Sequence, residues 1–130
     1  MTDRVAIKFY ICRHCGNIIG MINDSGVVPV CCGEKMTELI PNTTDAAKEK
    51  HVPVVTVHGS KVHVAVGSVA HPMDADHYIQ WICIKTEHGG QRRVLYPGEK
   101  PEAVFALTDD EKLITAYAYC NKHGLWISAE

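Results

Sequence analysis

Apolar positions along the chain fall into short runs and alternations, broken at close intervals by Gly, Pro, Asn and Asp. From Val54 onward the pattern is that of strands. VVTV and KVHVAV flank HGS, which predicts a hairpin. YIQWICIK (78–85) predicts a strand that ends at the turn TEHGGQ. RRVLY reads as another, stopped by PGEKP, and EAVFAL and KLITAYAYC complete the set. Short strands at near-regular spacing, with Gly/Pro turns between them, predict a β-sandwich or barrel.

The first residues carry the same signal in smaller pieces. VAIKFYI (5–11), IIGMI (18–22) and VVPV (27–30) read as short strands, with NDSG (23–26) as a turn. Strands of this length bury little surface, and a segment below about 40 residues needs a metal or a crosslink to fold. Residues 1–37 therefore read as a small metal-stapled domain and 38–130 as the main β domain. TELIPNTTDAAKEK (37–50) is polar and connecting, and DAAKEK can form a helical turn or two before the Val52–Pro53 step. No internal repeat or low-complexity tract interrupts this organisation.

Composition narrows the classes. A chain of 130 residues with 46 % hydrophobic and 22 % charged residues is of the ordinary globular kind. A formal charge of −2 argues against a broad nucleic-acid or anionic-membrane surface. The longest apolar runs, such as VHVAVGSVA, stop well short of a membrane span. MTDRVAIKFYIC has no secretory apolar core, so a cytoplasmic location is expected.

The unusual counts are six Cys and eight His. In a reducing compartment, closely spaced thiols point to metal or redox chemistry more than to disulfides. Cys12-x-x-Cys15-Gly makes a tight loop whose N–H groups stabilise thiolates, and adjacent Cys31 and Cys32 follow. Four sulfurs suit a tetrahedral Zn or Fe ion, and the spacing leaves that choice open. The competing reading is a disulfide pair or buried free thiols. Cys83 alternates with Trp81 and Ile79 and reads as a core residue, whereas Cys120 sits at a strand end in a loop shared with His123. His58 and His88 lie in turns, His63 faces solvent, and His14 reads as a surface residue. His51, His71, His77 and His123 remain, two of them stiffened by nearby prolines. Singly, each of these imidazoles reads as a surface group. With Cys120 they form a candidate five-ligand site for Fe, Cu, Zn or Ni that leaves an octahedral position open.

YICRHCGNI, VCCGEKM, DAAKEKHVPV, VGSVAHPMDADHYIQWI, LYPGEKPEAVFAL and YCNKHGLW, in this order, resemble the desulfoferrodoxins, the two-iron superoxide reductase family, over nearly the whole chain. The resemblance implies a desulforedoxin-like N-terminal domain with a rubredoxin-like iron on Cys12, Cys15, Cys31 and Cys32. It implies an immunoglobulin-like β-barrel in which His51, His71, His77 and His123 are equatorial, and Cys120 axial, ligands of a ferrous iron. Glu49 would bind the oxidised iron at the open position, and Lys50 would bring positive charge to it. The implied reaction is one-electron reduction of superoxide to hydrogen peroxide without dioxygen. The implied partners are a rubredoxin-like electron donor and a second copy of the chain. Asp76, before His77, and Leu125, in HGLW, depart from the commonest family pattern and bear on local electrostatics. Two other classes compete: a zinc-binding or electron-transfer module without catalysis, and an immunoglobulin-like interaction domain.

Overall fold

A computed structural model describes residues 7–128. Residues 5 and 6 of the expected first strand lie outside that range. The chain divides into two compact units, Met1–Ile40 and Pro41–Glu130. The division comes after Ile40 rather than after residue 37, because Thr37–Leu39 is itself a strand paired with Phe9–Ile11.

In the first unit β1 (Phe9–Ile11) lies between β2 (Ile18–Gly20) and β5 (Thr37–Leu39), both antiparallel to it. β3 (Val30–Cys31) and β4 (Glu34–Lys35) form a minimal hairpin. Its two turn residues, Cys32 and Gly33, have φ of 53° and 77°, as a type I′ turn requires. Of VVPV only Val30 is in a strand; the remainder is irregular. Tyr10, Cys12 and Met36 form a buried cluster with Ile19, Met21 and Val28 against it. So small a core fits the expectation that a crosslink or metal is needed.

The second unit is a sandwich of two antiparallel sheets. α1 (Lys48–His51), a single turn, precedes β6 (Pro53–His58). β6 pairs with β7 (Lys61–Val66), and β7 with β10 (Glu102–Ala106). The other sheet runs in the order β12-β11-β8-β9, from β8 (Ile79–Thr86), β9 (Gly90–Val94), β11 (Leu113–Cys120) and β12 (Gly124–Ile127). Three strands facing four is the count of an immunoglobulin-like sandwich, and the protein is mostly β, as the alternation predicts.

Alternation also places the core. Val62, Val64 and Val66 on β7 are fully buried, while His63 between them meets Glu102 at 3.0 Å on the outer face. Across the sandwich they face Ile82 and Ile84 of β8 and the row Ala116, Ala118, Cys120 of β11. Cys120 thus ends a core-facing row. A register shift between Tyr119 and Cys120 breaks the β8–β11 ladder there, and such bulges re-aim a side chain at a strand end. Cys83 is buried, as expected of a core thiol, and burial pushes its pKa up to about 11. Among the described residues no helix is long and apolar enough to cross a membrane.

Candidate metal centre

Five of the expected residues meet at one end of the sandwich. The ligand atoms of His51, His71, His77, Cys120 and His123 all lie within 4.8 Å of one another. They come from three segments: α1 ends in His51, the β7–β8 connection supplies His71 and His77, and the β11–β12 hairpin supplies Cys120 and His123. His51 is at the end of a helical turn rather than in a loop or at a strand edge, and it is buried together with His71 and Cys120.

The four imidazoles form a closed ring. Centroids of successive rings in the order 51, 71, 77, 123 are separated by 4.6, 4.8 and 5.1 Å, and 4.9 Å closes the cycle. Each ring stands at 80–81° to the next. Two edges of the inner square of nitrogens are 3.1 Å (His51 Nε2 to His123 Nδ1) and 3.2 Å (His71 Nε2 to His51 Nε2). A square of that size has its centre about 2.2 Å from each corner, close to the ~2.1 Å typical of metal–imidazole bonds. The Cys120 sulfur is 3.9 Å from His123 Nδ1.

The chemistry of these donors suits a cation. His51 Nδ1 donates to the Ala47 carbonyl at 2.7 Å, and His71 Nδ1 to the Pro72 carbonyl at 2.6 Å. A neutral ring that donates from one nitrogen presents a bare lone pair at the other. His51 and His71 therefore direct two lone pairs at each other. Burial lowers the His51 pKa and drives that of His71 down to about 4, so neither takes up a proton near neutrality to relieve the repulsion. The buried Nε2 of His77 has no hydrogen-bond partner at all among the described residues. An ion at the middle of the square satisfies every one of these atoms.

Neighbouring groups tune the set. Burial raises the Cys120 pKa, and the N–H groups of Lys122 and His123, with the Lys122 charge, work against that rise. Burial lowers His77, followed by His123 and Lys122, whereas Asp74 and Asp76 oppose the drop. The departure at Asp76 thus acts on a ring of the site. Leu125 is buried and pairs with Tyr119 across the hairpin. Glu49 and Lys50 are exposed on α1 directly before His51, and the Lys50 charge contributes to the lowered pKa of that ring.

The second thiol set also assembles. The sulfurs of Cys12, Cys15, Cys31 and Cys32 lie within 4.8 Å of one another. The type I′ turn explains how adjacent cysteines serve one cluster, since Cys31 ends the strand and Cys32 already lies in the reversing turn. The Cys15 N–H points at the Cys12 sulfur at 3.5 Å and is the largest cause of a Cys12 pKa near 6. Contact with the Cys12 and Cys15 sulfurs pushes Cys32 up to about 12. Sulfurs that compete this strongly for protons are a ready site for a thiophilic cation. A third group, Glu87, His88 and Glu111, is satisfied internally: Thr86 Oγ1 donates to Glu111 at 2.8 Å and His88 lies 3.2 Å from its other oxygen.

Sequence reasoning missed the groups that hold the ligands. Trp126 lies with its ring centroid 4.9 Å from that of His51 and donates from its indole N–H to the His123 carbonyl at 3.0 Å. Asn121 bridges the hairpin to the segment bearing His77. Both stand inside YCNKHGLW, and their placement next to two ligands was the available signal.

Known proteins resemble this chain closely. The Desulfoferrodoxin family profile matches residues 43–129. A desulfoferrodoxin homolog from Archaeoglobus fulgidus is 46 % identical, covering 98 % of this chain and 99 % of its own length. The crystal structure of the superoxide reductase from Treponema pallidum is 44 % identical, with a TM-score of 0.81 over 95 % of this chain and 99 % of that one. A one-iron superoxide reductase from Giardia intestinalis is 36 % identical, with a TM-score of 0.54 over 62 % of this chain and 96 % of that one. A profile that spans the sandwich and a relative aligned over nearly the whole chain leave one assignment: this chain belongs to the desulfoferrodoxin family.

Proposed function

We propose that the protein is a superoxide reductase in which superoxide, one electron and two protons give hydrogen peroxide, and no dioxygen is released. The observation that carries this reading is the square of imidazoles with a buried thiol beside it, five ligand atoms gathered within 4.8 Å of one another. It is supported by structural neighbours that are themselves superoxide reductases.

His51, His71, His77, His123 and Cys120 are the residues that would hold iron, and imidazole and thiolate both suit that metal. When bound in its ferrous form, iron supplies the electron. The remaining work belongs to the chain. The N–H groups of Lys122 and His123 stabilise the Cys120 thiolate. The charge of Lys50, exposed next to His51, attracts a small anion, and such steering raises association by about 10-fold or more at low salt. Glu49, exposed on the same turn, carries the carboxylate assigned to cover the centre between turnovers. Cys12, Cys15, Cys31 and Cys32 hold a second, rubredoxin-like iron in a desulforedoxin-like domain, chiefly as a structural staple. A rubredoxin-like donor restores the electron, and the working form is a cytoplasmic homodimer.

Peroxide formed per superoxide consumed, with dioxygen followed at the same time on anaerobically purified protein, tests the reaction. One peroxide per superoxide and no dioxygen is expected. One peroxide and one dioxygen per two superoxides would mean dismutation and end the proposal. Metal analysis tests the competing zinc module, since the reductase reading needs two irons per chain, one of them responsive to azide. Cys120→Ser is expected to lower the activity at least ~10-fold.

A further inference from the structure

We propose that Asn121 is a positioning residue of the five-ligand centre, tying the His77 segment to the Cys120–His123 hairpin so that ring and sulfur keep a fixed relation. The inference rests on the reading of that centre as an iron site. His77 and Cys120 come from different segments, and regular pairing between β8 and β11 ends at Ile79 and Cys120, beyond a bulge. Past that point nothing in the ladder fixes how the two segments lie.

Asn121 supplies the missing connection with three hydrogen bonds. Its N–H donates to the Tyr78 carbonyl at 3.2 Å. Its Oδ1 accepts from the Tyr78 N–H at 2.9 Å, and its Nδ2 donates to the Asp76 carbonyl at 3.0 Å. The carboxamide thus grips the residues on both sides of His77. The peptide of His77 is held separately by Asp74, with N–H to carbonyl distances of 3.0 and 3.2 Å. The buried Nε2 of His77, by contrast, has no hydrogen-bond partner among the described residues. His51 and His71 are aimed by the Ala47 and Pro72 carbonyls. The aim of His77 therefore rests on its backbone, which Asn121 holds from both flanks and Asp74 from the peptide itself.

The carboxamide is suited to this task. One planar group offers an acceptor and a donor to peptide groups pointing in opposite senses. Asp retains the acceptor but opposes an oxygen to the Asp76 carbonyl. Ala removes both contacts and leaves only the main-chain bond. A graded series follows, with Asn121→Asp between the natural residue and Asn121→Ala.

The test uses the full-length, iron-loaded, oxidised protein. Azide-induced change in the thiolate-to-iron absorption isolates this centre, because four sulfurs around a tetrahedral ion leave no position for azide. Resistance of the same iron to a chelator gives its retention. Removing a partner that orients a ligand typically costs 10–100-fold in metal affinity. Asn121→Ala is expected to shift the absorption band and to lose iron at least ~10-fold more readily, with Asn121→Asp intermediate. If Asn121→Ala does not fold, the shift in Asn121→Asp decides. An unchanged band and unchanged retention overturn the proposal, even where the metal-free variant melts lower, since that pattern marks a purely structural staple. A natural protein without any azide response overturns the iron-centre reading itself, and this inference with it.

Discussion

Gly67 occupies a position that admits no side chain. A Cβ there would lie 2.6 Å from the Glu49 carbonyl oxygen and 3.0 Å from that of Val52, both main-chain atoms. The same Glu49 carbonyl accepts from the Val69 N–H at 2.9 Å and from Ser68 Oγ at 3.2 Å. The close approach fastens α1, and so His51, to the connection that carries His71. Gly67→Ala is expected to destabilise the protein by about 1–3 kcal/mol, the usual cost of overpacking, and to lower its iron content; urea unfolding and metal analysis measure both. At this scale much was legible in the sequence. The candidate ligands stand out by residue type and by neighbouring proline or glycine. Gly67 carries no such mark, because its need arises from the carbonyls of Glu49 and Val52, far back along the chain.

The elements were legible in proportion to their length. β6, β7, β8, β10 and β11 match the expected runs to within a residue or two, because five or more alternating positions define a face. β4, β5 and β12 were missed. Two or three residues hold barely one period of alternation, and the start of β12 is hidden because GLW closes the motif YCNKHGLW. The turn from β8 to β9 is tied to the β10–β11 connection, where Glu111 accepts from Thr86 Oγ1 and contacts His88. Thr86, first, and His88 hold the Glu111 pKa below its ordinary 4.5. A carboxyl depressed on folding adds stability that is fully present above about pH 4.5 and is lost as pH falls through the lowered value. Glu111→Gln is therefore expected to lower the melting temperature at pH 7 and to converge with the natural protein in strong acid. Parallel melting curves at several pH values measure this.

At the scale of the molecule, the four thiols cluster within the first unit and the five-residue His/Cys group within the second. The strand that closes the first unit was not legible, since three residues beside a polar linker look like more linker. Each unit contains its own candidate ligand group, so the two groups can be altered independently by mutation. If both groups hold iron as proposed, Cys15→Ser combined with Cys32→Ser is expected to remove one iron per chain while the other still responds to azide. Metal analysis with an azide difference spectrum gives the answer. A final consequence follows from the buried row Ala116, Ala118, Cys120. The sulfur assigned to the metal is the last rung of the hydrophobic interior, so tension in that interior has an optical readout. Hydrostatic pressure, or an extra pair of methyl groups in Ala118→Val, will tint the loaded protein differently while it is still fully folded.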